Sequence, residues 1–215
     1  MHCPSLPEQA LRVWLGALHQ LALADGDFDD DERQILADNL AEMQPEAKFD
    51  WHSLPAPESE DLVKHLAVDP LMPEQFLRTA IVVAMADGHL SNEEIDLIKS
   101  WAAALGCSQG LVQLIESCAE EPHGLTVDAL GSLRKWLDGL NPHDPRIASF
   151  IVHMIPAQCP FERDITLFGH KIVHIPAMCQ INPLYDQLVE LRFRCLDNLS
   201  EEQQIRISRL DSSSE

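Results

Sequence analysis

The sequence predicts a mainly α-helical fold, and three features of the chain carry that prediction. Apolar residues recur at helical spacing, as in Leu11, Leu15 and Leu18. A helix–turn–helix pattern occurs twice, 62 residues apart. Apolar residues make up 46% of the 215 residues and charged residues 23%, which is the composition of a globular chain with a core.

Both copies of the repeat are centred on an Asp-Gly pair. The first copy runs over residues 22–32 and the second over residues 84–94, with five identical positions. Each copy predicts a helix that ends at the Asp-Gly pair and a second helix that begins with a capping box. Helical hairpins related by pseudo-symmetry are therefore expected at 8–43 and 73–106.

Proline, glycine and capping residues delimit the elements that follow. Residues 44–61 are rich in Pro, Glu, Ser and Asp and are predicted to form a loop. Further helices are expected near 108–119 and 126–138. Asp144 then caps another helix that Pro145 begins.

The C-terminal quarter predicts smaller elements. Residues 164–175 alternate in polarity around a glycine, a pattern compatible with a short β-hairpin. A last helix begins at Asn182, and Arg192 and Arg194 on it are expected to lie over apolar surface. Residues 211–215 are expected to be disordered.

The balance of acidic and basic side chains changes along the chain. Residues 1–145 hold 8 basic and 26 acidic side chains, residues 146–195 hold 5 and 4, and the last twenty hold 2 and 5. We therefore predict a helical domain at 1–143, a small domain at 144–200, and a helix end with a flexible acidic tail at 201–215.

The net charge of −20 excludes some classes of partner. It repels nucleic acid and anionic membrane surfaces and favours a protein partner with a basic face, or cations. No targeting or membrane-spanning segment is recognisable, so a cytoplasmic location is expected. The cysteines form no CxxC pair, which favours reduced thiols over a disulfide framework.

The duplicated turn, Ala-x-Ala-Asp-Gly-…-Glu, resembles that of the tellurite-resistance TerB-like family over about residues 8–140. The resemblance implies an all-helical bundle and a role in stress or tellurite responses. It also implies a divalent-metal site in the acidic turns. The metal-site candidates are Asp25, Asp27, Asp29, Glu32, Asp87 and Glu94.

The C-terminal part contains three motifs, at 150–164, 174–179 and 182–194, within about residues 145–200. These motifs resemble a second family, the Mo-dependent nitrogenase C-terminus, which is common in cyanobacteria. This resemblance implies an accessory protein linked to nitrogenase by its domain. It does not imply nitrogenase catalysis, because a metal cluster needs several cysteines that converge from a large scaffold.

Two kinds of metal site compete with simpler structural explanations. The first acidic turn offers several carboxylates to a hard cation, but helix capping accounts for Glu32 and Glu94 without metal. The turn is not an EF-hand, since Asp30 stands where that loop needs glycine. A zinc set drawn from His153, Cys159, His174 and Cys179 has no finger spacing, and buried thiols are favoured.

The chain has no phosphate-binding loop, nucleophile elbow, HExxH motif or dinucleotide fingerprint. We therefore expect a non-enzymatic acidic interaction or stress-response module without a cofactor. One alternative is a divalent-metal-binding module that uses the Asp-Gly turns. The other is the nitrogenase-linked accessory protein.

The metal hypothesis predicts a cation-dependent rise in melting temperature, because a bound cation relieves repulsion among the carboxylates. Asp25→Asn should abolish the rise, whereas Asp87→Asn should retain it, since His89 and Ser91 make the second turn poorer in oxygen ligands. Thermal-shift measurements with Ca²⁺, Mg²⁺, Mn²⁺ and Zn²⁺ test this. If no ion has an effect, capping alone explains the turn, and Asp29→Ala should then cost ~1 kcal/mol with or without metal.

Overall fold

The computed structural model describes most of the chain between residues 6 and 213. The described residues are 6–24, 41, 54–85, 90–107, 127–155, 163–167, 170–175, 182 and 184–213. Within them lie eight helices of eight residues or more and one pair of strands, so the prediction of a mainly α fold is confirmed. The helices are α1 (Glu8–Ala22), α2 (Ser59–Leu66), α3 (Met72–Ala84), α4 (Asn92–Ala104), α5 (Val127–Leu137), α6 (Pro145–Met154), α7 (Tyr185–Asp197) and α8 (Glu201–Ser213).

The first helices of the two repeat copies, α1 and α3, pack against each other. Trp14 and Phe76 occupy equivalent positions of the repeat, and their rings meet edge to face with centroids 5.5 Å apart. Contact between equivalent residues is what a two-fold relation between the copies requires near its axis. The Phe76 ring also contacts the Trp101 ring of α4, with centroids 5.4 Å apart. The second helix predicted for the first copy lies outside the described residues.

Local capping signals place the ends of α3 and α4 where the sequence predicts them. Pro73 lies in the first turn of α3, where its missing N–H costs nothing. At the end of α4, Gly106 has φ +68°, which lets the chain turn back. The Gly106 N–H donates to Ala103 O at 3.2 Å and the Cys107 N–H to Ala102 O at 2.9 Å, the two bonds of a Schellman motif.

Helix α2 corrects the end of the loop predicted over residues 44–61, of which residues 44–53 lie outside the described residues. The helix begins at Ser59, because Glu58 and Asp61 form the start of a helix despite the surrounding prolines. The Glu58 N–H donates to Asp61 Oδ2 at 3.3 Å. Leu62 and Leu66 lie one turn apart and are fully buried, so packing holds the short helix in place.

Helix α8 covers residues 201–213 of the segment that is predicted to hold a helix end and a flexible acidic tail. Ser200 and Gln203 form a capping box in which the Ser200 N–H donates to Gln203 Oε1 at 3.0 Å and the Gln203 N–H to Ser200 Oγ at 3.3 Å. Ile207 is buried and anchors the helix to the core. The helix continues through Ser213, because Glu, Gln, Arg and Leu are good helix formers.

The two arginines of α7, Arg192 and Arg194, donate hydrogen bonds to backbone carbonyls, which the sequence did not predict. Arg192, expected to lie over apolar surface, is only 6% exposed, and its guanidinium donates to Val152 O and to Ile155 O at the end of α6. Arg194 donates to Leu140 O at 3.2 Å. Both arginines therefore bind backbone carbonyls instead of covering apolar side chains.

A third arginine joins α3 to the end of α5. Arg78 donates to Trp136 O at 2.8 Å and to Gly139 O at 3.1 Å, and its guanidinium lies 5.2 Å from the centre of the Trp136 ring. A Cβ at Gly139 would lie 2.7 Å from the Arg78 guanidinium, so a larger residue there would require the Arg78 side chain to shift. Glu74 accepts from both Arg78 and the Trp136 indole, at 2.8 and 2.9 Å.

The segment before α1 is tied to the start of α6 by a buried carboxylate. Asp144 caps α6 by accepting from the Arg146 N–H at 2.9 Å, and it accepts from the Leu6 N–H at 2.7 Å. The Arg146 guanidinium binds both Asp144 oxygens and donates to Leu6 O at 2.8 Å. Burial alone would raise the pKa of Asp144, but these hydrogen bonds hold it below its ordinary value.

The C-terminal part shares one hydrophobic core with the N-terminal helices. Buried residues from α1 through α8 form a single cluster. Asn182 crosses between the halves, since its amide donates to Met85 O at 2.8 Å. Strands β1 (Arg163–Leu167) and β2 (His170–Ile175) pair antiparallel in the segment where the sequence is compatible with a hairpin. None of the described helices is long and apolar enough to cross a bilayer.

Removing the Asp144 carboxylate should destabilise the protein strongly, because Arg146 and the Leu6 N–H lose their acceptor in a buried place. We expect Asp144→Ala to lower the free energy of unfolding by about 3 kcal/mol in urea titrations. The matched control is Glu202→Ala, which removes an exposed ion pair to Arg206 and should cost less than about 1 kcal/mol. An equal loss of unfolding free energy in the two variants would show that the bonds from Asp144 to Arg146 and to the Leu6 N–H contribute little to stability.

Candidate functional site

Of the predicted metal-site residues, the described part of the chain includes Glu94. The other five lie outside the described residues; they are Asp25, Asp27, Asp29, Glu32 and Asp87. Among the described residues, no three His, Cys, Asp or Glu side chains come close enough to share a metal ion. The divalent-cation site therefore stays a prediction of the sequence.

Glu94 forms the capping box that the repeat predicts. Its Oε2 accepts from the Ser91 N–H at 2.8 Å and from the Ser91 hydroxyl at 3.0 Å. Ser91 Oγ in turn accepts from the Glu94 N–H at 3.2 Å. The carboxylate is only 6% exposed, and these bonds explain how a charged group is buried there. The capping interpretation is thus confirmed for the second copy.

The described residues form an open groove of about 630 Å³ between α1, α4 and the segment that precedes α2. Helix α1 contributes its last two turns and the residues that follow it, and α4 contributes its first two turns. The lining residues are Gly16, His19, Gln20, Leu23, Ala24, Leu54, Ala56, Glu93, Asp96 and Leu97.

A glycine shapes one wall of this groove. At Gly16, a Cβ would lie 2.6 Å from Pro55 O, well inside van der Waals contact. The backbone around Pro55 can therefore lie directly on α1 only because residue 16 has no side chain. This close approach fixes Leu54 and Ala56 beside the helix, one buried and the other exposed.

The rim of the groove is acidic. Glu93 and Asp96 are exposed and three residues apart on α4, so they are neighbours on the helix surface. Glu93 lies in the first turn, where the helix dipole favours a negative charge. Across the groove, Gln20 Oε1 is enclosed and has no hydrogen-bond partner within the described part of the chain. Sequence patterns did not reveal this groove, because its walls are distant in the chain.

A second cluster of titratable groups lies beneath Arg192 in the C-terminal half. Burial, aided by Arg192, lowers the pKa of His153 to about 4, and burial raises the pKa of Cys195 to about 12. At neutral pH both side chains are therefore uncharged, and Cys195 is not an activated thiolate. His153 belongs to the zinc set weighed above, of which Cys159 and Cys179 lie outside the described residues.

A model of the family described as Mo-dependent nitrogenase C-terminus matches residues 129–210. This confirms the resemblance of the C-terminal part, and the match begins earlier than the predicted residue 145. Within the matched residues, the chain that follows α5 is bonded to α7 and its C-cap, since Arg194 donates to Leu140 O and Asn198 donates to Pro142 O at 3.3 Å. No curated protein and no solved structure matches the chain. The TerB-like resemblance of residues 8–140 stays a prediction.

His153 should make stability depend on pH in a defined window. Because its pKa falls from 6.5 to about 4 on folding, the folded state binds this proton less readily than the unfolded chain. The free energy of unfolding should therefore decrease as pH falls from 6.5 towards 4. His153→Gln should flatten that part of the profile in urea titrations. Identical slopes in the two proteins would contradict the assignment.

Proposed function

We propose that this chain is a non-enzymatic accessory protein connected with Mo-dependent nitrogenase, and that it acts by binding a protein partner. The observation that carries the proposal is the family match over residues 129–210. The connection with nitrogenase comes from the description of that family. The matched segment contributes α6 and α7 to the common core, so it is an integral part of the folded protein.

A binding role suits the chemistry of the matched segment. Its buried polar groups are engaged in structural bonds: Arg192 binds the carbonyls of α6, and Asp144 caps that helix. The side chains of His153 and Cys195 are neutral at neutral pH. These groups stabilise a rigid platform, and none of them is poised for proton transfer or nucleophilic attack.

The same segment exposes an aromatic side chain that a partner could cover. Phe193 is 63% exposed on α7, between the engaged Arg192 and Arg194. Ile205 on α8 is 47% exposed. Aromatic residues that are held on a rigid helix lose little entropy on binding and are frequent anchors of protein interfaces. We therefore place the partner contact of the proposed function at Phe193.

The other functions predicted from the sequence belong to the N-terminal half. A stress-response role of the TerB-like type rests on the duplicated turn, and divalent-metal binding rests on the carboxylates of residues 25–32. The cation titration with Asp25→Asn tests the metal function directly. It does not involve Phe193, so its result leaves the accessory proposal intact.

The accessory proposal predicts saturable binding to a Mo-dependent nitrogenase component protein. The chain is immobilised, and purified component proteins are passed over it, separately and together. Phe193→Ser should weaken binding about tenfold, as expected for an interface anchor. Leu71→Ser is the matched control, because Leu71 is 70% exposed but lies outside residues 129–210.

Two results would contradict this proposal. Absence of binding to every component protein would remove the connection with nitrogenase. Equal weakening by Phe193→Ser and Leu71→Ser would show that the contact does not lie in the matched segment. Circular dichroism of both variants confirms that the helices are intact.

A further inference from the structure

We propose that the groove between α1, α4 and residues 54–56 binds a basic amphipathic segment of a partner protein. The groove lies outside the matched residues 129–210, so it would be a second binding surface. The inference rests on the proposed function only in that the chain has a protein partner. It holds whether or not that partner belongs to nitrogenase.

The apolar part of the groove fits the apolar face of a helix or an extended segment. Leu97 lines the groove from α4 and Leu23 lines it from the C-cap of α1; both are half-buried, and the lining residue Leu54 is buried. Ala24 and Ala56 have short side chains, which leaves the groove open. Large apolar side chains of a partner can therefore reach the leucines.

The charges around the groove select a basic partner. Glu93 and Asp96 are exposed side by side on its rim. Of the described residues that line the groove, His19 alone can carry a positive charge. Residues 1–145 carry 8 basic and 26 acidic side chains. The electrostatic potential around the groove is therefore negative, like the charges of Glu93 and Asp96 on its rim. A lysine or arginine beside the apolar face of the partner would complement this rim.

Fluorescence anisotropy with a labelled Lys–Leu peptide tests the proposal on the full chain. The peptide carries leucines at helical spacing; one comparison peptide has the same composition in scrambled order, and another has Glu in place of Lys. Saturable binding of the first peptide is expected, with weaker binding of the scrambled one and none of the acidic one. Raising the salt concentration should weaken the binding.

Variants then locate the peptide. Glu93→Gln with Asp96→Asn should weaken binding about tenfold, because two rim charges are lost. Ala56→Trp should also weaken it, since the new ring fills the groove without a change of charge. The matched control is Glu190→Gln with Glu201→Gln, two exposed acidic residues in the other half of the chain, which should change binding less than about twofold. Circular dichroism checks that every variant folds.

Several outcomes would overturn the inference. Equal binding of the ordered and scrambled peptides, or equal weakening by the control pair, would reduce the effect to attraction by net charge. Unchanged binding by Ala56→Trp would place the peptide elsewhere. Self-association in sedimentation experiments that Ala56→Trp abolishes would identify a second copy of this chain as the occupant. If the groove variants bind nitrogenase component proteins normally while peptide binding persists in them, this inference fails and the proposed function stands.

Discussion

The buried guanidinium of Arg192 is the interaction on which the C-terminal half of the structure depends. The last carbonyls of any helix lack intrahelical donors, and those of α6 are buried. Arg192 satisfies Val152 O and Ile155 O from α7 and is itself compensated by them for its loss of water. The end of α6 and the guanidinium of Arg192 are therefore buried at the expense of neither, because each satisfies the polar atoms of the other.

Arginine side chains also donate to backbone carbonyls where the N-terminal and C-terminal halves of the chain meet. Arg78 reaches from α3 to Trp136 O and Gly139 O, and Arg194 reaches from α7 to Leu140 O. The chain between α5 and α6 is thereby held from both sides, by a helix of each half. Asp144 extends the arrangement by capping α6 and binding the Leu6 N–H. The region of the predicted boundary near residue 144 is therefore hydrogen-bonded to α3, to α7 and to the segment before α1.

Local signals in the sequence predicted the parts of the fold that depend on neighbours in the chain. The Ser91–Glu94 capping box, the turn at Gly106 and the start of α6 at Pro145 all follow from residues within one turn of the feature. The arginine–carbonyl bonds join residues about 40 to 60 positions apart, and no local pattern encodes them. Helix α2 was missed for a different reason: composition suggested a loop up to residue 61, whereas the capping residues and the buried Leu62 and Leu66 favour a helix from Ser59. The groove required the contact of Gly16 with Pro55, which also appears only in three dimensions.

Gly16 and Arg78 stand at equivalent positions of the repeat, 62 residues apart. Each residue contacts the backbone of a segment that packs on its helix. Gly16 lies against the Pro55 carbonyl, and Arg78 donates a hydrogen bond to the Gly139 carbonyl. The first copy makes its contact through the smallest residue, and the second copy makes it through one of the longest side chains. If the hairpins arose by duplication, a single codon position has diverged to opposite extremes while keeping its architectural task. A side chain at residue 16 in a related chain would therefore signal that the segment corresponding to 54–56 has moved away, and with it the groove.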